Sequence, residues 1–213
     1  VKVVIAGGHG QIALRLARQL ADRGDQPVGL IRNPDHADDV RAAGAEPVLL
    51  DLESATVAAA AEVLRGADAV VFAAGAGPGS GAARKDTVDR GASALMAGAA
   101  ESAGVRRFIQ VSGMGLDRAD DPGVDEVFAA YLRAKAAAEQ DLAGRDLDWT
   151  ILRPGRLTND APTGTVTLAP SVGYGEISRD DVAAVLVALL DHPATAGRTL
   201  ELVGGETPVD QAL

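Results

Sequence analysis

The stretch Val3–Leu20, VVIAGGHGQIALRLARQL, decides the reading of this chain. Four apolar residues run straight into three glycines broken by one His, and the apolar spacing then changes. Ile12, Leu16 and Leu20 recur every four residues, the spacing of one helix face. The stretch therefore predicts a buried strand, a glycine turn and an amphipathic helix over Gln11–Asp22, with Gly24 close behind as a stop.

The same alternation repeats along the chain. Val3–Ala6, Pro27–Ile31, Pro47–Leu50, Ala69–Phe72, Phe108–Val111, Thr150–Leu152 and Leu200–Val203 read as strands. Most are near-continuous apolar runs, as expected of strands covered on both faces. Helical patterns fall between them, at Asp35–Ala43, Ala55–Leu64, Asp86–Ala103, Asp125–Ala143 and Arg179–Leu190. Ser178 is placed to cap the last of these, with Asp181 at the capping-box position. The order predicts an α/β fold: a doubly wound, mainly parallel Rossmann sheet with helices on both faces. The Gly-rich segment 73–81 should form a loop at the carboxyl edge of that sheet, where such folds bind ligands.

Composition narrows the function. The 213 residues contain 47% hydrophobic and 23% charged residues, ordinary for one globular domain. There is no Cys, which excludes disulfides and thiolate chemistry and suits a reducing, cytoplasmic setting. A net charge of −10 argues against nucleic acid as a partner. No apolar run reaches membrane-spanning length and no leader pattern opens the sequence, so no membrane partner is expected. The His residues at 9, 36 and 192 show no metal-ligand spacing, and no metal is expected. The expected partner is a small-molecule substrate, and the chain should be a monomer or homodimer.

A glycine turn between a first strand and first helix lets a pyrophosphate approach the backbone and meet unpaired helix N–H groups. Gly7, Gly8, His9, Gly10, Gln11 and Ile12 form that turn and helix start. Gly10 is the candidate for close approach, Ala13 is small enough for helix–strand packing, and His9 is expected to matter through its backbone. At the end of the second strand stands Arg32, where a cofactor with a free ribose 2′-OH calls for an acid. A guanidinium suits a 2′-phosphate, so NADP(H) is expected over NAD(H). Asp51, followed by Leu52, is placed to meet the adenine amino group or to serve as a helix N-terminal acid.

The candidate chemistry lies in YLRAK. Tyr131 and Lys135 are spaced i,i+4 on one predicted helix. Of the 20 Lys and Arg residues only three are Lys, so a Lys beside one of two Tyr carries information. An ammonium near a phenol is expected to lower its pKa toward neutrality and make it a general acid/base. Ser112, at the end of the fifth strand, could orient a substrate oxygen at the same sheet edge.

On GGHGQIA, LDL (50–52), VVFAAGAG (70–77), FIQVSG, YLRAK, LDWTILRPG (147–155) and ISRDDVA (177–183), the chain resembles the short-chain dehydrogenase/reductase superfamily. The resemblance is to its atypical, NmrA-like NAD(P)-binding branch, which includes epimerase/dehydratase-like proteins, and it spans essentially the whole chain. It implies a catalytic set of Ser112, Tyr131 and Lys135, with Asp89 where the family usually carries Asn. It also implies that Ala73, Ala74 and Gly75 line the cofactor, that Pro154 and Gly155 border the nicotinamide, and that Lys135 reaches its ribose. The expected activity is NADP-dependent hydride transfer to or from a carbonyl or hydroxyl carbon. A non-catalytic NADP-sensing protein and a flavin or quinone reductase are the alternatives. Only a short segment follows Arg153, so small lids near 113–130 and 156–177 are expected in place of a substrate domain.

Overall fold

The computed structural model describes residues 1–77 and 79–213; position 78, in the expected 73–81 loop, lies outside the described residues. The chain runs β1 (Lys2–Ala6), α1 (Gln11–Asp22), β2 (Gln26–Ile31), α2 (Ala37–Ala42), β3 (Glu46–Leu49), α3 (Val57–Leu64) and β4 (Ala69–Phe72). It continues through α4 (Ala82–Arg84), a π-helical segment (Lys85–Ala92) and α5 (Ser93–Ala103) into β5 (Arg107–Val111). Then follow α6 (Glu126–Ala143), β6 (Asp148–Pro154), β7 (Arg156–Thr158), β8 (Thr165–Ala169), β9 (Glu176–Ser178), α7 (Arg179–Leu190), β10 (Arg198–Gly204) and β11 (Thr207–Pro208).

The main sheet has the order β11-β8-β10-β6-β5-β4-β1-β2-β3. From β3 to β10 every neighbouring pair is parallel, and β8 runs antiparallel to both β10 and β11. The winding reverses between β1 and β4, which opens a crevice at their carboxyl ends. The continuous apolar strands are explained by the two cores. Val3 and Ile5 of β1 face α1 and α7, packing with Leu16, Leu20 and Leu186. Val4 and Ala6 face the other layer, with Phe72, Met96 and Phe108. A strand that alternates sides between two dry layers has no polar face to show. Leu16 is fully buried, so Leu16→Ala removes about 2–5 kcal/mol from the α1 contact.

Local chemistry sets the boundaries. Asn33 accepts a bond from the Asp35 N–H and Pro34 follows it, so the segment before α2 starts as a tight 3₁₀ turn. The helix expected from Ala55 begins at Val57, because the Thr56 side chain accepts from Ala59 N–H. The helix expected at 86–103 is drawn out into α4, the π segment and α5, and it stops at Gly104 with φ +73°. Ser178 does cap α7 through Asp181 N–H. The Asp181 carboxylate, buried at 3% exposure, accepts from the Thr163 and Gly164 N–H groups and pins the turn before β8.

The segment 156–177, expected as a lid, carries β7, β8 and the start of β9. β8 is hydrogen-bonded to β10 within the main sheet, and β7 pairs in parallel with β9. Among the described residues, no helix is long and apolar enough to cross a membrane.

Candidate functional site

The glycine turn holds its shape through the backbone. Gly10 N–H donates to Gly7 O at 2.8 Å, and Gly8 N–H donates to Leu30 O at 2.9 Å. Gly7 has φ +79°, in the left-handed region, and a Cβ there would lie 2.6 Å from the Ala74 Cα. A Cβ on Gly8 would lie 2.6 Å from the Gly29 Cα. These two glycines therefore let the turn touch β2 and the loop after β4. Gly10 differs: a Cβ there would face the Gly7 carbonyl at 3.1 Å and the Ala73 carbonyl at 3.8 Å, between the two loops.

Gly10 stands at the N-cap of α1 and supplies no side-chain cap, and the first turn carries no acid. The first α1 N–H groups are thus left for an anion. Those residues fit a pyrophosphate.

Two clefts open from this point. One, of about 300 Å³, is bordered by Gly7, His9, Gly10, Arg32, His36, Asp51, Leu52 and Glu53. The other, of about 770 Å³, is bordered by Ile12, Lys85, Asp89, Ser112, Phe128, Tyr131, Lys135 and Leu157. Ala73, Ala74, Gly75 and Ala76 line both. An extended ligand lying across this shared wall would place one end in each cleft.

In the smaller cleft, His9 stacks on His36 with ring centroids 3.6 Å apart, and its Nε2 lies 2.8 Å from Asp39 Oδ2. The His9 side chain thus ties the glycine turn to the β2–α2 connection. Arg32 Nη1 donates to Glu53 Oε2 at 3.1 Å, and Arg84 and Thr87 donate to the same carboxylate. The Arg84 hydrogen bond in particular holds the Glu53 carboxyl below its usual range. Glu53 and Arg84 were not visible as site residues in the sequence. Arg84 arrives from a segment 31 residues beyond Glu53, which no local pattern signals.

In the larger cleft, Ser112, Tyr131, Lys135 and Asp89 come together from β5, α6 and the π segment. Ser112 is 6% exposed and its hydroxyl has no partner among the described residues. A Cβ on Gly113 would lie 3.6 Å from the Tyr131 hydroxyl, which places the phenol tip beside Gly113, in the cleft that Ser112 also lines. Lys135 Nζ donates to Val111 O at 3.2 Å and lies 3.2 Å from Asp89 Oδ1, an ion-pair contact without hydrogen-bond alignment. Asp89 Oδ2 accepts from Ala76 N–H at 3.2 Å, so the same carboxylate braces the shared wall.

The electrostatics overturn one expectation. Lys135 does not bring the Tyr131 phenol toward neutrality. Burial, together with the Asp89 carboxylate, pushes that phenol up to about 12. The ammonium is spent on Asp89 and stands 5.9 Å from the Tyr131 ring centroid.

Four expected positions, Gly8, Gln11, Pro154 and Gly155, line neither cleft, Gly8 being packed on Gly29. Gln11 is exposed at the start of α1. Pro154 ends β6, and its carbonyl accepts from Met114 N–H. Gly155 donates to Leu202 O at 2.8 Å, and a Cβ on it would run into the Gly175 carbonyl. Its smallness serves framework packing.

A doubly wound sheet with an uncapped glycine turn at its switch point and a Ser/Tyr/Lys group on the adjoining edge defines a dinucleotide-binding protein of the Rossmann class. The chain belongs to the NAD(P)H-binding family, whose model matches residues 7–193. It is 38% identical over 216 residues to the uncharacterized sugar epimerase YhfK of Bacillus subtilis, covering 100% of this chain and 99% of the relative. Among solved structures it superposes with TM-score 0.90 on a Bacillus halodurans protein to which an NAD-dependent epimerase or dehydratase activity has been ascribed. That pair is 36% identical and covers 98% and 96% of the two chains. The Lactococcus lactis oxidoreductase ylbE superposes with TM-score 0.84 at 25% identity, covering 100% and 94%.

Proposed function

We propose that the protein is an NADP-dependent oxidoreductase that reduces a carbonyl carbon of a small molecule. The observation that carries this reading is the unpartnered Ser112 hydroxyl in the same cleft as a Tyr131 phenol held in its protonated form. Bound nicotinamide supplies the hydride. Ser112 then donates to the carbonyl oxygen and orients it, and Tyr131 delivers the proton that the oxygen gains. With so high a pKa the phenol stands in its protonated form at neutral pH, the form that donates. Lys135, neutralised by Asp89, positions the shared wall and stays within reach of a ribose hydroxyl.

Preference for NADP(H) rests on Arg32, with Arg84 and His36 beside it at the rim of the smaller cleft. Glu53 opposes an added phosphate there and moderates the preference. The high phenol pKa also supports a second reading, reduction of a flavin or quinone, in which less is asked of a positioned acid.

NADPH oxidation followed at 340 nm with carbonyl, quinone and flavin acceptors tests the assignment. Tyr131→Phe removes only the hydroxyl, so carbonyl turnover should fall by roughly 10²–10⁴ with NADPH affinity retained. Undiminished turnover would set Tyr131 aside and leave the quinone or flavin reading.

A further inference from the structure

The larger cleft carries four charged groups, and three are already committed. Asp89 and Lys135 face each other. The Asp125 carboxylate accepts from Val127 N–H and Phe128 N–H at 3.0 and 3.1 Å, capping α6. Lys85 is the fourth. Its Nζ donates to Gly77 O at 2.7 Å and stands 5.2 Å from the Tyr131 ring centroid, within cation–π range. The acid next to it in sequence, Asp86, is taken by Arg90. Among the described residues Lys85 makes no ion pair, and the cleft's remaining carboxylate, Asp125, is turned to the α6 N–H groups.

Beside it lies an aromatic surface. Phe128 is 51% exposed on the first turn of α6, and its ring stacks on Tyr131 with centroids 5.9 Å apart and planes 22° apart. An exposed Phe gains nothing from water, and this one borders the cleft. In a chain with 3% aromatic residues, the stacked pair at a cleft mouth is a concentrated binding surface.

We propose that this cleft takes a planar, conjugated carbonyl compound bearing a carboxylate, such as an aromatic oxo acid or a quinone carboxylate. The ring system lies on the Phe128–Tyr131 surface and the carboxylate meets Lys85. The placement of the reacting carbonyl at Ser112 and Tyr131 rests on the reductase reading above; the anion site at Lys85 does not. A volume of about 770 Å³ accommodates one or two fused rings beside a nicotinamide.

The test is calorimetric binding of 2-naphthoate and of its neutral isostere 2-naphthamide to the NADP⁺-saturated protein. Naphthoate should bind the parent roughly tenfold more tightly than naphthamide. Lys85→Met should erase that difference and leave naphthamide affinity intact. Phe128→Ala should weaken both probes several-fold. Equal affinity for the two probes in the parent, no binding of either at millimolar concentration, or a preference that survives Lys85→Met would each overturn the proposal. Equal loss of both probes in Lys85→Met would also overturn it, since Lys85 would then only be holding the loop through Gly77. Failure of NADP⁺ itself to bind, seen in the preceding titration, would instead strike the oxidoreductase reading.

Discussion

Lys135 and Asp89 face each other at 3.2 Å in the wall of the larger cleft, with side-chain exposures of 6% and 0%. Each charge exists there because the other does. The pair also adds to what burial does to Tyr131. A carboxylate near the phenol disfavours a second negative charge, and the ammonium that would have favoured it is already matched.

Asp89→Asn keeps the shape and the oxygen that receives Ala76 N–H, and removes the charge. The Tyr131 phenol should then titrate at lower pH, toward the neighbouring ammonium's influence. Tyrosinate absorbance in a Tyr174→Phe background reads that midpoint alone, because the chain has two Tyr. An unmoved midpoint would refute the coupling. Leaving Lys135 unmatched should also cost on the order of 3 kcal/mol of stability.

The raised phenol has a second consequence with pH. A folded-state value of about 12 against an ordinary 10.0 means the folded protein holds a proton that the unfolded chain releases between those values. Stability from this group is therefore full below about pH 10 and lost as pH rises toward 12. Carbonyl reduction should show no loss from Tyr131 ionisation between pH 7 and 9, checked by a kcat profile. A basic limb near neutrality would contradict the assignment.

NADPH should bind more tightly than NADH by about tenfold, and Arg32→Ala should remove most of that margin. Glu53→Gln should widen it, because the carboxylate beside Arg32 repels a 2′-phosphate. Paired titrations with both cofactors check the direction of each change. Opposite signs for the two substitutions are the diagnostic outcome.

Gly8 and Gly10 should separate folding from binding. Gly8→Ala drives a Cβ into the Gly29 backbone and should lower the melting temperature. Gly10→Val fills the space between the Gly7 and Ala73 carbonyls and should abolish NADPH binding with a smaller thermal effect. A Gly10→Val protein that binds normally would move the phosphate site elsewhere.

The sheet was readable because its signal is local. An apolar run such as Val3–Ala6 is long enough to show that both faces are covered, and α1 matched its expected range because its stripe, Ile12, Leu16 and Leu20, is unbroken. β7, β8 and β9 went unread. They are short, and Pro162, Gly164, Pro170, Gly173 and Gly175 punctuate them so densely that the stretch reads as loop. At the site, the spacing of Tyr131 and Lys135 was visible, but their electrostatics were not. Burial of the phenol and the Asp89 carboxylate, which comes from another element, set them, and i,i+4 spacing says nothing about what stands opposite. Lys85 carried the same signal as Lys135, scarcity among the basic residues, but lacked a local partner to draw attention to it.

The π-wound segment Lys85–Ala92 borders both clefts. Val88 and Ala92 close the adenosine-sized one, while Lys85 and Asp89 enter the larger one. One short run of i→i+5 backbone, a winding that is rare outside functional sites, thus forms part of the wall of each cleft.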